Sequence, residues 1–340
     1  MPAFTLSIVS LSISLLPVIV FLVALIFLDS FKLVTLRSVL TAILVGSVIA
    51  FACLWINTWL MGAISIDIRS YSRYVAPAIE EMLKAAYLVY LIRRRRVGFM
   101  VDASILGFAV GAGFAINENI YYFRSVSDPN PLLWILRGFG TAIMHGGVTA
   151  SGGILTKYFS DRLGSANGLV FVPGLLLAIV IHSLYNHFFV SPELSTVLLL
   201  IALPLLIRAV FRISESGTRR WLGVRFDTDA ELLETVVSGE VTNSRVGDYL
   251  QSLQSRFAGP VVGDMVCMLR LHLELSIRAK GILLAREAGF KVEPDETVAA
   301  ELEELKYLEK AVGKTGLLAV APLFNMSDHD LWQLHMLGKK

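Results

Sequence analysis

Long apolar stretches separated by short polar ones run through the first two thirds of the chain, and then the pattern changes. Seven stretches are near the 20 or so mostly apolar residues that cross the hydrocarbon of a bilayer. They are Phe4–Leu28, Val39–Met61, Val75–Ile92, Phe99–Phe123, Leu132–Leu155, Leu169–Val190 and Leu194–Phe211. They predict about seven transmembrane helices. Loops between them carry turn residues, as in Ser127-Asp128-Pro129-Asn130-Pro131 and Ser191-Pro192. From Trp221 onward the sequence is amphipathic and soluble in type. Thr228-Asp229 precedes a helical stretch that ends near Gly239. Asn243 opens another, which stops before Gly259-Pro260, and Val261 to Ala288 reads as one long helix. Pro294-Asp295-Glu296 resembles a first helical turn, and Ser327 an N-cap with Asp330 three residues on. No strand-like alternation stands out. The expected fold is all-α: a polytopic membrane bundle over residues 1–220 and a soluble helical domain over residues 221–340.

Composition agrees with this division. Hydrophobic residues make up 55% of the 340 and charged residues only 17%, against about a quarter charged in ordinary soluble domains. The mean hydropathy is +0.66. Residues 1–220 carry a net charge of +7 and residues 221–340 a net charge of −5, so the near-neutral total of +2 hides two unlike parts. Lys32 and Arg37, Arg93 to Arg96, Lys157 and Arg162, and Arg208 to Arg220 fall in one set of loops. The alternate set holds only Arg69, Arg73 and Arg124. Basic loops stay in the cytoplasm, which predicts an outside N-terminus and a cytoplasmic C-terminal domain. The apolar N-terminus has no basic leader and is longer than a signal h-region, so it reads as a retained helix. Cys53 and Cys267 fall in different expected compartments, which excludes a disulfide framework. With no Gly-rich phosphate loop and no basic stripe, nucleic acid is not an expected partner. The lipid bilayer is, and the C-terminal domain offers a surface for a cytoplasmic partner or for homo-oligomerisation.

Ionisable groups inside a membrane span are costly and mark function by default. Here they form a set. The third span carries Glu80, Glu81 and Lys84, and the fourth Phe114, Asn117, Glu118 and Tyr122. His145 is in the fifth, and His182 and Asn186 are in the sixth. Glu80 and Lys84, four apart, can pair along one helix face. Phe114, Glu118 and Tyr122 share a face, as do His182 and Asn186. By helix rise, Glu80 lies roughly 9 Å, Glu118 roughly 8 Å and His182 roughly 12 Å below the outer end of its span. His145 reaches a similar depth if Arg137 snorkels to the interface. Asp102 is expected at the inner interface and His187 at the outer one.

Carboxylate oxygens and imidazole nitrogens suit a zinc-like ion. Three protein ligands and a water make a hydrolytic site. A further carboxylate can act as general base, and Asn186 can donate to a developing oxyanion. A structural ion pair, a packing histidine or an ion pathway would use the same residue types. A transporter should show internal repeats and polar residues in both membrane halves. Neither is found. A non-catalytic scaffold, receptor or immunity protein needs no such set at one depth.

Glu80-Glu81-x-x-Lys84, Phe114-x-x-x-Glu118-x-x-x-Tyr122 and His182-x-x-x-Asn186, in order on separate spans, resemble the PrsW intramembrane proteases. That family is related to the larger CAAX-protease and bacteriocin-processing superfamily. The resemblance covers about Val75 to Val190. It implies an intramembrane endopeptidase in a bacterial inner membrane, acting near the extracytoplasmic side on a membrane-anchored protein such as an anti-sigma factor. By position it makes Glu80 or Glu81 the base, with Lys84 completing the first motif and Asn186 the last. Glu118 stands where CAAX proteases have a metal-site histidine. The expected catalytic set is therefore Glu80, Glu81, Lys84 and Asn186. The expected ligands of a divalent metal, zinc by donor type, are Glu118, His145 and His182. A metal mechanism and a glutamic one both remain open on these motifs.

Overall fold

The computed structural model describes residues 2–125, 130–164, 167–239, 244–292, 295–324 and 328–337. The Ser127 to Pro129 turn, Asn243, Pro294 and Ser327 lie outside the described residues. All regular structure among the described residues is helical. The first part runs α1 (Pro2–Leu28), α2 (Leu36–Ala63), the short α3 (Ile68–Ser70), a π-helical turn (Tyr71–Val75), α4 (Ala76–Arg93) and α5 (Met100–Ser125). It continues with α6 (Pro131–Ile135), a second π-helical segment (Leu136–Ala142), α7 (Ile143–Leu163), a 3₁₀ turn (Gly168–Phe171), α8 (Val172–His187) and α9 (Pro192–Val237). Each expected span falls on helix. Five described stretches are long and apolar enough to cross a membrane: Val9–Leu28, Leu36–Ala63, Met100–Ser125, Gly168–His187 and Pro192–Val237. The other two expected spans, on α4 and on α6 to α7, are the ones diluted by Glu80, Glu81, Lys84, Arg137 and His145.

Helix α5 is the centre of the bundle. Of its spanning stretch 83% is buried, against 22–28% for the other four. Its small residues allow this, because without bulky side chains neighbouring backbones come into contact. A Cβ on Gly113 would lie 2.0 Å from the Ile43 carbonyl oxygen of α2, and one on Gly111 would lie 2.3 Å from the carbonyl oxygen of His145 on α7. Only glycine fits at either place. The second contact presses the backbone of a candidate site residue directly against α5.

Two carboxylates of the bundle away from the site hold backbone amides. Asp29 accepts hydrogen bonds from the amides of Leu33 and Val34. Asp102, in the first turn of α5, is 1% exposed. Its Oδ2 accepts from the Gly98 amide at 2.8 Å and the Phe99 amide at 3.4 Å. The amides at the start of a helix have no intrahelical partner, and the carboxylate turns inward to satisfy them.

The chain forms two compact units, Met1–Ser214 and Glu215–Lys340, with the division inside α9. The second unit contains the end of α9, α10 (Arg245–Leu253), α11 (Gly259–Glu287), α12 (Thr297–Phe324) and α13 (Asp328–Leu337). No new helix begins at Thr228-Asp229. Thr228 Oγ1 bonds the Val224 carbonyl one turn back, and α9 runs through both residues. Ser244 caps α10, and the long helix expected over Val261 to Ala288 is α11. Leu250, Met265, Met268, Leu275, Leu305 and Leu308 are part of this unit's own apolar core. A charged cluster is buried in the same unit. Lys280 Nζ donates to Asp229 Oδ2 at 2.5 Å and to Ser276 Oγ at 2.9 Å, and Gln333 Nε2 donates to Ser276 Oγ. Cys53 and Cys267 are both free.

Candidate active site

The α4 residues Glu80, Glu81 and Lys84 point toward α7 and α8, and the fourth-residue pairing expected of Glu80 with Lys84 does not form. Lys84 Nζ lies 2.6 Å from Glu81 Oε1 instead. Glu81 Oε1 also accepts from His182 Nδ1 at 2.9 Å, and its Oε2 from Thr149 Oγ1 at 3.4 Å. Two long-range partners thus hold Glu81 on the side of Lys84. Lys84 makes two further contacts, at 3.2 Å from His145 Nδ1 and at 4.3 Å from the centre of the Phe114 ring. Glu81 and Lys84 are 1% and 0% exposed. A buried charge is strongly destabilising unless paired, and each supplies the other's partner.

Glu80, one residue earlier and about 100° round the helix, faces a cavity of about 400 Å³. Phe114, Asn117, Glu118 and Tyr122 line it from α5, so the shared face read from spacing is the face presented. Asn57 and Thr58 line it from α2, and Tyr71 from the first π-helical turn. Thr141, His145, His182 and Asn186 complete it from the second π-helical segment, α7 and α8.

The two imidazoles have fixed roles. An ammonium only donates hydrogen bonds, so the His145 Nδ1 that faces Lys84 is an acceptor. The proton is then on Nε2, which lies 3.0 Å from Glu118 Oε2. On His182, Nδ1 faces the Glu81 carboxylate and donates to it. Nε2 is left with a lone pair, 4.0 Å from Glu80 Oε2. Each ring therefore has a carboxylate behind one nitrogen, the arrangement that orients histidines at metal sites.

Glu80, His145 and His182 each offer one ligand atom, and these lie within 4.8 Å of one another. Glu118, expected as a ligand, is hydrogen-bonded to His145 and is not part of that group. Two imidazoles and a carboxylate suit zinc. The 4.0 Å between two lone-pair atoms, Glu80 Oε2 and His182 Nε2, is space that a cation or a water fills favourably. Glu80 and His182 Nε2 fit a divalent metal as they stand, and His145 joins them only once Lys84 releases Nδ1 or Glu118 releases Nε2.

A model of the PrsW family of intramembrane metalloproteases matches residues 33–210, just over half of the chain. The chain belongs to the PrsW family. No curated protein and no solved structure matches it. PrsW membership places the chain among integral membrane proteins and its chemistry among intramembrane proteolysis, with a membrane-embedded protein as substrate. Residues beyond 210, including the whole second unit, lie outside the PrsW match.

Asn186 is at the rim of the cavity, where its Nδ2 donates to the Ser72 carbonyl at 2.9 Å. Ser183 Oγ donates to the Arg73 carbonyl at 2.6 Å. Both carbonyls belong to the first π-helical turn, and α8 satisfies them with side chains. His187 bonds Tyr74 Oη and the Ser183 carbonyl. Arg137 does not snorkel. Its side chain is 13% exposed and its Nη2 lies 3.4 Å from Glu118 Oε2. A carboxylate inside a membrane protein needs a counter-charge more than an arginine needs the interface. Arginine within an apolar span was the available signal for this residue.

Proposed function

We propose that the chain is a metal-dependent intramembrane endopeptidase that cuts a membrane-anchored protein near the outer end of its span. The observation that carries this reading is the convergence of Glu80, His145 and His182 on one point at the wall of the cavity. The two histidines would hold the metal, zinc by donor type, and leave Glu80 beside it as the base. When bound, the ion acidifies a water molecule and polarises the scissile carbonyl.

The remaining chemistry belongs to side chains. Glu80 takes the proton from the attacking water and returns it to the leaving amine. Glu81 cannot share that task while it is held by Lys84, His182 and Thr149. It keeps the His182 ring in place, as Glu118 does for His145, and Lys84 balances the charge of Glu81. An amide NH₂ has two hydrogens. With one on the Ser72 carbonyl, Asn186 has one left to stabilise the oxyanion.

Seven spans, with α4 and α6 to α7 included, put the Arg93 to Arg96 loop in the cytoplasm and the cavity toward the opposite surface. By the same topology the Glu215–Lys340 unit is cytoplasmic, and its separate core makes it an accessory module that docks a partner or a second copy. The test compares the protein N-termini of membranes from cells expressing wild type or Glu80→Gln. New termini at the outer ends of single-span proteins should appear with wild type only. Identical sets in the two samples would overturn the peptidase reading.

A further inference from the structure

Arg137 belongs to none of the three motifs, yet it holds the outer part of the site together. Its Nε donates to Asn119 Oδ1 at 3.0 Å, and its Nη2 lies 3.4 Å from Glu118 Oε2. The guanidinium carbon is 3.8 Å from the centre of the Tyr122 ring. Glu118, Asn119 and Tyr122 are neighbours on α5, so one guanidinium meets one turn of that helix at three places, by a hydrogen bond, an ion-pair approach and a ring contact. Asn119 is anchored in turn, because its Nδ2 donates to the Ser14 carbonyl of α1 at 2.8 Å. The line of contacts runs from the α1 backbone through Asn119, Arg137 and Glu118 to His145 Nε2.

The helix geometry is arranged for this. Arg137 and His145 are eight residues apart. In a regular α-helix that separation leaves them about 80° apart around the axis. Arg137 lies in the π-helical segment Leu136–Ala142, which runs from it toward His145. One extra residue absorbed there brings the pair to within about 20° of each other. Arginine and histidine then approach the same carboxylate oxygen, Glu118 Oε2.

We propose that Arg137 is a positioning residue: its guanidinium fixes the Glu118 carboxylate, and through it the tautomer and tilt of His145. This rests on the reading of His145 as a working member of the site. Two contacts act together on the tautomer, and neither alone fixes it. Lys84 donates toward Nδ1, and Glu118 accepts from Nε2. The second holds only while the Glu118 carboxylate stays in place, which Arg137 provides. A lysine would keep the charge but, as a point charge, could not span Asn119 and Glu118 together.

The test uses the metal-free full-length protein in bilayers, labelled with ¹⁵N-histidine, at one mildly alkaline pH. The His145 signal is assigned by its loss in His145→Gln. Wild type should show Nε2 protonated and Nδ1 bare. Arg137→Gln should show mixed tautomers, and Arg137→Lys a partial return. Cobalt or zinc affinity should fall about 10- to 100-fold in Arg137→Gln, as for other residues that orient metal ligands. If Arg137→Gln does not fold, Arg137→Lys decides, with mixed tautomers expected. A wild-type tautomer in the folded variant overturns the proposal. A wild type with the expected tautomer but no metal binding would count against the metal site and leave the positioning role intact.

Discussion

Lys84 Nζ is 2.6 Å from Glu81 Oε1, so the lysine pairs three residues back and leaves Glu80, four residues back, to the cavity. The spacing allows either partner. What decides is the surroundings of Glu81, where His182 and Thr149 add hydrogen bonds that a solvent-facing carboxylate would lack. Adjacent glutamates thereby take different tasks. Replacing Lys84 with Met should destabilise the first unit by about 3–5 kcal/mol, because it leaves the Glu81 carboxylate buried without a counter-charge. Thermal unfolding in detergent measures this. The Glu81→Gln, Lys84→Met double variant should recover much of the loss, and an unchanged midpoint in Lys84→Met would contradict the pairing.

Glu80 and Glu81 should respond differently to the same chemical change. Glu80→Gln should leave the unfolding temperature near that of wild type and stop turnover. Glu81→Gln should lower both, since it removes the negative charge that Lys84 and His182 share and replaces one acceptor oxygen with a donor. Parallel measurement of stability and cleavage separates the two. A fully active Glu80→Gln would remove Glu80 from the role of base.

Metal content gives an independent check. The purified protein should carry about one divalent ion, and chelation should abolish cleavage until zinc is restored. His182→Ala should lose the ion, whereas Asn186→Ala should keep it and cleave more slowly. Full activity in a sample shown by elemental analysis to lack metal would favour the glutamic mechanism.

The place of the cut follows from backbone hydrogen bonding. A helical substrate must unwind before water can reach its carbonyl, and unsatisfied backbone groups in hydrocarbon cost several kcal/mol each. Unwinding is least costly near the membrane edge, and product termini mapped by mass spectrometry should fall at the extracytoplasmic end of the substrate's span. Termini in the cytoplasmic half would show that the proposed orientation is inverted.

The second unit should weaken in acid through His272. Burial lowers its pKa from 6.5 to about 4, against the partial opposition of Asp229 and Asp330, while Lys280 lowers it further. Above pH 6.5 the residue is neutral in both states and contributes nothing. Below that value the unfolded chain binds a proton that the folded one excludes. Stability should therefore fall between about pH 6.5 and 4, by at most about 1.4 kcal/mol per pH unit. Limited proteolysis of this unit in the full-length protein, repeated with His272→Gln, measures the effect. An equal pH slope in the variant would assign it to other groups.

Much of this protein is legible without coordinates, because helix geometry turns spacing into direction. Apolar run lengths marked helices that the fold contains. The i, i+4 spacing of Phe114, Glu118 and Tyr122 put all three on the face that lines the cavity. Tertiary structure decided the rest. Glu80 and Glu81 are both within local reach of Lys84, and the choice between them rests on His182 and Thr149, 101 and 68 residues away in the chain. Arg137 could equally have reached for the interface. It turns inward because a π-helical segment, which apolar periodicity does not reveal, aligns it with Glu118 and His145. At Thr228-Asp229 a good capping sequence lies inside a continuous helix, since a cap signal acts only where the chain is free to bend. In each case several local arrangements lie within a few kcal/mol of one another, and long-range contacts made after the helices pack select among them.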